Sequence, residues 1–175
     1  MPNSSEISKL YNRLILTMKE HGLYDTFIIA NANAYLNQQL ALQQISHSQL
    51  CHLFRVSIMI AKIGFSSDVI AVSLLHEVNL SNETVLNEIQ DRFLNSNVFS
   101  IINAYKELNS YLHSKTVSPE FIQLKTQDEL HKKALYIKLA DRIDILQNSC
   151  TFSTQEHRQL IENTKNILLN IARIE

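Results

Sequence analysis

The sequence contains very little glycine or proline. Only two residues of each type occur among 175, and no glycine-rich loop is available to hold a phosphate after a strand. Because helix interiors exclude both residues, their scarcity favours long helices joined by short polar connections.

A strong net charge and long apolar runs are also missing. The formal net charge of −1 provides no basic surface for sequence-independent binding of nucleic acid. No uninterrupted apolar stretch approaches the ~18 residues that a membrane span requires, and the N-terminus lacks the basic and apolar regions of a signal peptide. We therefore expect a cytoplasmic protein that has neither nucleic acid nor a membrane as a partner.

Cysteine is equally scarce. Cys51 and Cys150 are the two cysteines, and they do not form a CxxC motif. We interpret both as reduced thiols of a cytosolic protein, with a disulfide between them as the alternative.

Apolar residues make up 45% of the chain and charged residues 19%, as in an ordinary globular domain. The apolar residues recur at three- and four-residue spacing, and no alternating strand pattern occurs. We therefore predict an all-α fold, a single bundle of about eight helices with an HD-domain-like arrangement. The predicted helices cover about 5–21, 25–42, 48–63, 69–78, 83–93, 98–108, 121–146 and 154–174.

We expect residues 1–175 to form one domain. Its core would be 48–147, with the N-terminal helices of 5–45 and a C-terminal helix at 154–174 packed on it. The segment 43–48 is predicted to be a connection and 109–118 a loop. Met1 and the final helical pattern suggest a whole protein.

Four polar residues interrupt apolar helical stretches and are the candidates for chemistry: His52, the adjacent pair His76 and Glu77, and Asp141. A buried carboxylate costs several kcal/mol unless it meets a cation, a hydrogen-bond donor or a metal. Imidazole and carboxylate groups converging on one point are what a hard or borderline metal ion binds.

Each of these residues also has a simpler interpretation. A single helical histidine is usually hydrogen-bonded in the core or on the surface, and Asp141 is followed by Arg142, which suggests an ion pair. The spacing alone favours a shared metal site and separate structural roles equally. The remaining histidines lie in polar contexts and are predicted to be surface residues: His21, His47, His113, His131 and His157.

Three segments carry a family resemblance: Ala71–Val78, Leu86–Phe93 and Ile137–Arg142. They resemble the HD superfamily, and more closely the RelA/SpoT-type alarmone hydrolase domain and its small stand-alone homologues. The similarity is ungapped from His52 to Leu108, and the 24-residue interval between His52 and His76 is the one the family shows. The stretch from Glu156 to Ile174 also resembles the last helix of the stand-alone enzymes.

The resemblance implies an all-helical domain that holds one divalent metal, usually Mn²⁺, and removes the 3′-pyrophosphate of guanosine tetra- or pentaphosphate in the stringent response. His52, His76 and Asp141 match the family's metal ligands. Glu77 stands where the family has Asp, and its extra methylene would displace the carboxylate by roughly 1–1.5 Å.

Several family positions carry different residues here. Leu80 and Ser81 replace a Glu-Asp pair that handles the attacking water, and neither is an effective general base. Ile145 replaces a supporting Asn, and Gln43-Gln44 replaces an Arg-Lys pair that contacts the nucleotide. We therefore predict a degenerate, weakly active or non-catalytic regulatory homologue.

Two alternatives stay open. The chain would be an active metal-dependent phosphohydrolase with a different substrate if Glu83 or Asp144 replaced the missing acid pair. It would be a structural or partner-binding domain if the four polar residues only bonded to each other. The expected ligand is a guanine nucleotide or another phosphorylated small molecule, and a protein partner or homo-oligomer is compatible with each hypothesis.

Overall fold

The structure is a computed structural model that describes residues 4–23, 25–113 and 128–148, together with 155, 158, 160–162, 164 and 165. These residues contain no strand, and those described between 155 and 165 are helical, so the predicted all-α fold is confirmed. Seven helices have both ends within these residues: α1 (Ser4–Glu20), α2 (Thr26–Ala41), α3 (His47–Ile63), α4 (Ser67–Leu75), α5 (Glu83–Arg92), α6 (Val98–His113) and α7 (Glu129–Asn148).

The chain divides into two compact units, residues 1–103 and 104–175, and the boundary falls within α6. In the first unit α3 packs against α1 and α4, and α4 packs against α2. The largest fully buried side chains of this unit include Tyr35, Phe54 and Phe93. The single domain expected from the sequence stays a prediction.

Helix α3 begins and ends at residues that suit helix termini. Ser46 is the N-cap: its Oγ accepts from the Gln49 N–H at 3.1 Å, and its own N–H donates to Gln49 Oε1 at 2.9 Å. Gly64 ends the helix in the left-handed conformation (φ 88°), which glycine adopts without steric cost. The predicted start near Ser48 is confirmed, and the capping box of Ser46 and Gln49 sets the first helical residue at His47.

Helix α4 is shorter than predicted. All of its residues except Asp68 are buried, and the helix ends at Leu75 instead of reaching Val78. The chain turns there, since the Val78 N–H donates to the Leu75 carbonyl at 3.1 Å and the Leu80 N–H donates to the Val78 carbonyl at 2.6 Å. As a result, His76 and Glu77 lie where the helix ends and not within it.

Helix α6 is longer than predicted. It continues to His113, so the predicted loop at 109–118 was wrong over its first five residues. Ser110 fits the helix because its Oγ donates to the Glu107 carbonyl at 2.7 Å, a local bond that helices tolerate. The described residues do not include 114–118 of the predicted loop or the predicted helix start at 121. They also do not include the end of the helix predicted at 154–174.

Among the helices described, none combines the length and the apolar character that a membrane span needs.

Candidate metal centre

His52 lies in the second turn of α3, between fully buried neighbours. Leu53 and Phe54 follow it in the core, and His52 itself is buried. The apolar residues of α3 pack toward α1 and α4, so this imidazole is held in the first unit by a well-packed helix.

His76 is the C-cap residue of α4, and its ring is oriented by the turn before it. Nδ1 lies 2.8 Å from the Ser73 carbonyl oxygen. Because a carbonyl can only accept, Nδ1 carries the proton and Nε2 carries the lone pair. Histidines that bind metals use the same arrangement, with one nitrogen donating to a carbonyl and the other facing the ion.

His52, His76 and Glu77 converge. The two imidazole rings lie 5.5 Å apart between centroids, at an angle of 59°, and His52 Nε2 is 3.7 Å from Glu77 Oε1. One ligand atom from each residue lies within 4.8 Å of the others. Ligands about 2.0–2.3 Å from a common ion are separated by roughly 3–4.5 Å, so these three side chains could hold one divalent cation.

Glu77 reaches this cluster despite its extra methylene. Its side chain is 31% exposed, whereas that of His52 is 11% exposed. The carboxylate therefore faces His52 on one side and solvent on the other. The end of α4 before His76 allows this, because a residue in a turn is not held to the helical side-chain direction.

A buried pair of serines connects the helices that carry the two histidines. Ser73 Oγ lies 2.8 Å from Ser57 Oγ and 2.7 Å from the Ile70 carbonyl, and Ser57 Oγ donates to the Leu53 carbonyl at 2.8 Å. This pair joins α3 to α4 close to the cluster. Sequence reasoning missed it, although two serines within very apolar helical stretches were the available signal.

Asp141 belongs to the second unit and lies in α7. It is buried, and its Oδ2 is 2.9 Å from Lys138 Nζ, three residues earlier on the same helix. Asp144, one turn further along, is buried as well and accepts from Asn148 Nδ2 at 3.1 Å. Helix α7 therefore carries two buried carboxylates, those of Asp141 and Asp144.

Leu80 and Ser81, where the resemblance predicts an acid pair, carry no carboxylate. Leu80 is buried at 8% exposure, and Ser81 is exposed. Glu83, a predicted substitute for the pair, is an exposed residue in the first turn of α5. Gln43 and Gln44 are also exposed.

The prediction that His131 is a surface residue was wrong. Its side chain is 12% exposed, its Nε2 lies 2.8 Å from Glu107 Oε2, and its Nδ1 contacts the Asp128 carboxylate. Two acidic partners in the second unit account for this placement. His21 and His47 are exposed as predicted, whereas the side chains of His113 and His157 lie outside the described residues.

Cys51 precedes His52 and is a buried free thiol. Burial raises the pKa of this thiol above 9.0; the nearby Glu6 raises it further, and Arg55 opposes the shift. The thiol is therefore protonated at neutral pH, which makes Cys51 a poor metal ligand. Cys150 lies outside the described residues.

Comparison with known proteins gives one distant match. The chain is 20% identical over 123 residues to the guanosine-3′,5′-bis(diphosphate) 3′-pyrophosphohydrolase of Aquifex aeolicus (strain VF5). The chain is distantly related to that hydrolase. The aligned region covers 70% of this chain but 18% of the other protein, and neither a family model nor a solved structure matches significantly. The match is to a hydrolase, and the cluster of His52, His76 and Glu77 has the chemistry of a metal site.

Proposed function

We propose that this chain binds one divalent metal ion through His52, His76, Glu77 and Asp141 and hydrolyses guanosine tetraphosphate weakly or not at all. The observation that carries the proposal is the convergence of His52, His76 and Glu77 close in sequence to a buried leucine, Leu80, at a position where the resemblance implies an acid. On this proposal the chain is a regulatory homologue that takes a guanine nucleotide or another phosphorylated small molecule as its ligand.

The donor chemistry supports a metal. The four proposed ligands would supply two imidazole nitrogens, from His52 and His76, and two carboxylate oxygens, from Glu77 and Asp141. Imidazole suits Zn²⁺ and carboxylate suits harder ions; we propose Mn²⁺, which accepts both. When bound, such an ion polarises a phosphoryl oxygen and acidifies a bound water.

The residue at position 80 supports weak catalysis. Leu80 is a buried hydrocarbon side chain and can neither accept a proton nor orient water. Loss of general acid–base assistance typically lowers a rate by ~10²–10⁴-fold. The exposed amides Gln43 and Gln44 carry no charge for phosphate groups, so the charge-assisted hydrogen bonds that strengthen phosphate binding are absent at those positions.

Metal analysis of protein purified without chelator tests the metal site. We expect about one Mn²⁺ per chain after titration, as a closed set of four ligands would bind. His76→Ala should remove this binding, whereas the matched variant His47→Ala, at an exposed position of α3, should retain it. Wild-type protein that stays below about 0.2 ion per chain with added Mn²⁺ would contradict the proposal.

A hydrolysis assay with guanosine tetraphosphate and Mn²⁺ tests the second half of the proposal. We expect turnover at least ~10²-fold slower than that of a hydrolase with the acid pair. Fast turnover of this or another nucleotide that His76→Ala abolishes would favour an active phosphohydrolase. The buried carboxylate of Asp144 supports that alternative, in which Asp144→Asn would also abolish turnover.

A further inference from the structure

Lys138 is a buried cation held between two partners of the second unit. Its side chain is 8% exposed, and lysine is almost never buried unless it is paired. The ammonium lies 2.9 Å from Asp141 Oδ2 and 5.8 Å from the centroid of the Tyr105 ring, over its face. The acid and the aromatic ring together compensate for the loss of hydration.

This contact constrains the carboxylate of Asp141. Residues three apart on a helix lie on one face, and a charge-assisted hydrogen bond is about twice as strong as a neutral one. The bond to Oδ2 fixes the plane of the carboxylate, and the plane determines the direction in which Oδ1 points. A carboxylate that must serve as a metal ligand gains from such preorganisation, because a first-shell ligand has to be placed within about 0.5 Å.

We propose that Lys138 is a positioning residue for the metal centre, holding Oδ2 of Asp141 so that Oδ1 is presented to the ion. The inference rests on the proposed function, since it requires Asp141 to be a ligand. Loss of Lys138 should therefore weaken metal binding. If the Lys138 ammonium only competed with the metal for Asp141, its removal would strengthen metal binding, because it would remove the repulsion between the ammonium and the divalent ion.

The test is the affinity of the full chain for Mn²⁺, measured from the electron paramagnetic resonance signal of the free aqueous ion. Lys138→Met keeps the length and packing of the side chain but removes its charge. We expect Mn²⁺ to bind about 10–100-fold more weakly, the usual effect of removing a residue that supports a metal ligand. Lys132→Met, at an exposed position of the same helix, should bind Mn²⁺ as the wild type does.

The second variant is Lys138→Gln, whose amide can still donate to Asp141. We expect it to bind Mn²⁺ with an affinity between those of the wild type and Lys138→Met, at the same folded fraction by circular dichroism. If Lys138→Met fails to fold, Lys138→Gln decides alone, and wild-type affinity in that variant overturns the inference.

The remaining outcomes separate the inference from the proposed function. Unchanged or tighter binding in Lys138→Met, with Mn²⁺ bound to the wild type, overturns the role of Lys138 and leaves the metal centre standing. A wild-type protein that binds no Mn²⁺ overturns both.

Discussion

At the scale of single residues, the candidate centre depends on where two side chains point. The Nδ1–H of His76 donates to the carbonyl oxygen of Ser73 at 2.8 Å, so its other nitrogen carries the lone pair. Glu77 places Oε1 3.7 Å from His52 Nε2 and remains partly exposed. The longer side chain of Glu, at a position where the resemblance predicts Asp, therefore still directs its carboxylate toward His52.

The charge of Glu77 should matter more than its length. Glu77→Gln keeps the side-chain size and removes one negative charge from the site, and we expect Mn²⁺ affinity to fall by about tenfold or more, since a charge-assisted contact is worth roughly 1.5–3 kcal/mol. Isothermal titration measures this directly. Because the side chain is partly exposed, the free energy of unfolding should change little.

Glu83→Gln is the matched control, as it removes a charge from an exposed residue six positions along the chain. Equal Mn²⁺ affinity in Glu77→Gln and the wild type would show that Glu77 is not a ligand.

At the scale of helices, the ends of α3 and α4 position the two histidines. The capping box at Ser46 fixes where α3 begins, and the turn after Leu75 brings His76 and Glu77 out of the helix. The hydrogen bond between Ser57 and Ser73 then joins the two helices in their shared interior. A hydrogen bond between helices is directional, so it specifies their relative position more closely than apolar contacts do.

Loss of the Ser46 cap should destabilise the protein. Ser46→Ala removes the acceptor for the Gln49 N–H, and caps of this kind contribute about 0.5–2 kcal/mol. We expect the free energy of unfolding in urea to fall by about 1 kcal/mol. Ser48→Ala, at an exposed position in the first turn of α3, is the control and should have a much smaller effect; an equal loss in both variants would contradict the cap.

At the scale of the whole molecule, one buried phenol links stability to pH. Tyr35 is fully buried in the first unit, and among the described residues its hydroxyl has no hydrogen-bond partner. Burial raises the pKa of Tyr35 above 10.0; Glu88 raises it further, and Arg92, whose guanidinium lies 5.2 Å from the ring centroid, opposes the shift. The folded state therefore holds this proton more tightly than the unfolded state.

The sign of the effect follows from proton linkage. The contribution of Tyr35 is fully present below pH 10.0 and is lost as the pH rises above it, by at most about 1.4 kcal/mol per pH unit. Tyr35→Phe should therefore flatten the decline in stability between about pH 9.5 and 11, as urea unfolding across that range would measure.

The same substitution has an expected effect at neutral pH. An unsatisfied buried hydroxyl costs about 1–3 kcal/mol, so Tyr35→Phe should leave the stability at pH 7 unchanged or raise it. A loss of more than about 1 kcal/mol at pH 7 would show that the hydroxyl has a partner in solution.

Most of the architecture could be predicted from local sequence because helices are local structures. Apolar spacing predicted the helices, and Gly64 and Asp25 mark a helix end and a helix start where the structure has them. The errors fell at positions where local signals compete. Val78 lies four residues after Leu74 and so matches the apolar spacing of α4 beyond its end, and Asn109 and Ser110 resemble a loop although α6 continues through them.

By itself, the sequence determined the helical class and singled out His52, His76, Glu77 and Asp141, because polar groups in apolar helices are conspicuous in one dimension. Only the tertiary structure decided that the carboxylate of Glu77 faces His52, that Ser57 and Ser73 join α3 to α4, and that Lys138 and Asp141 are buried. Distances between side chains depend on helix ends and packing, and no spacing along the chain specifies them.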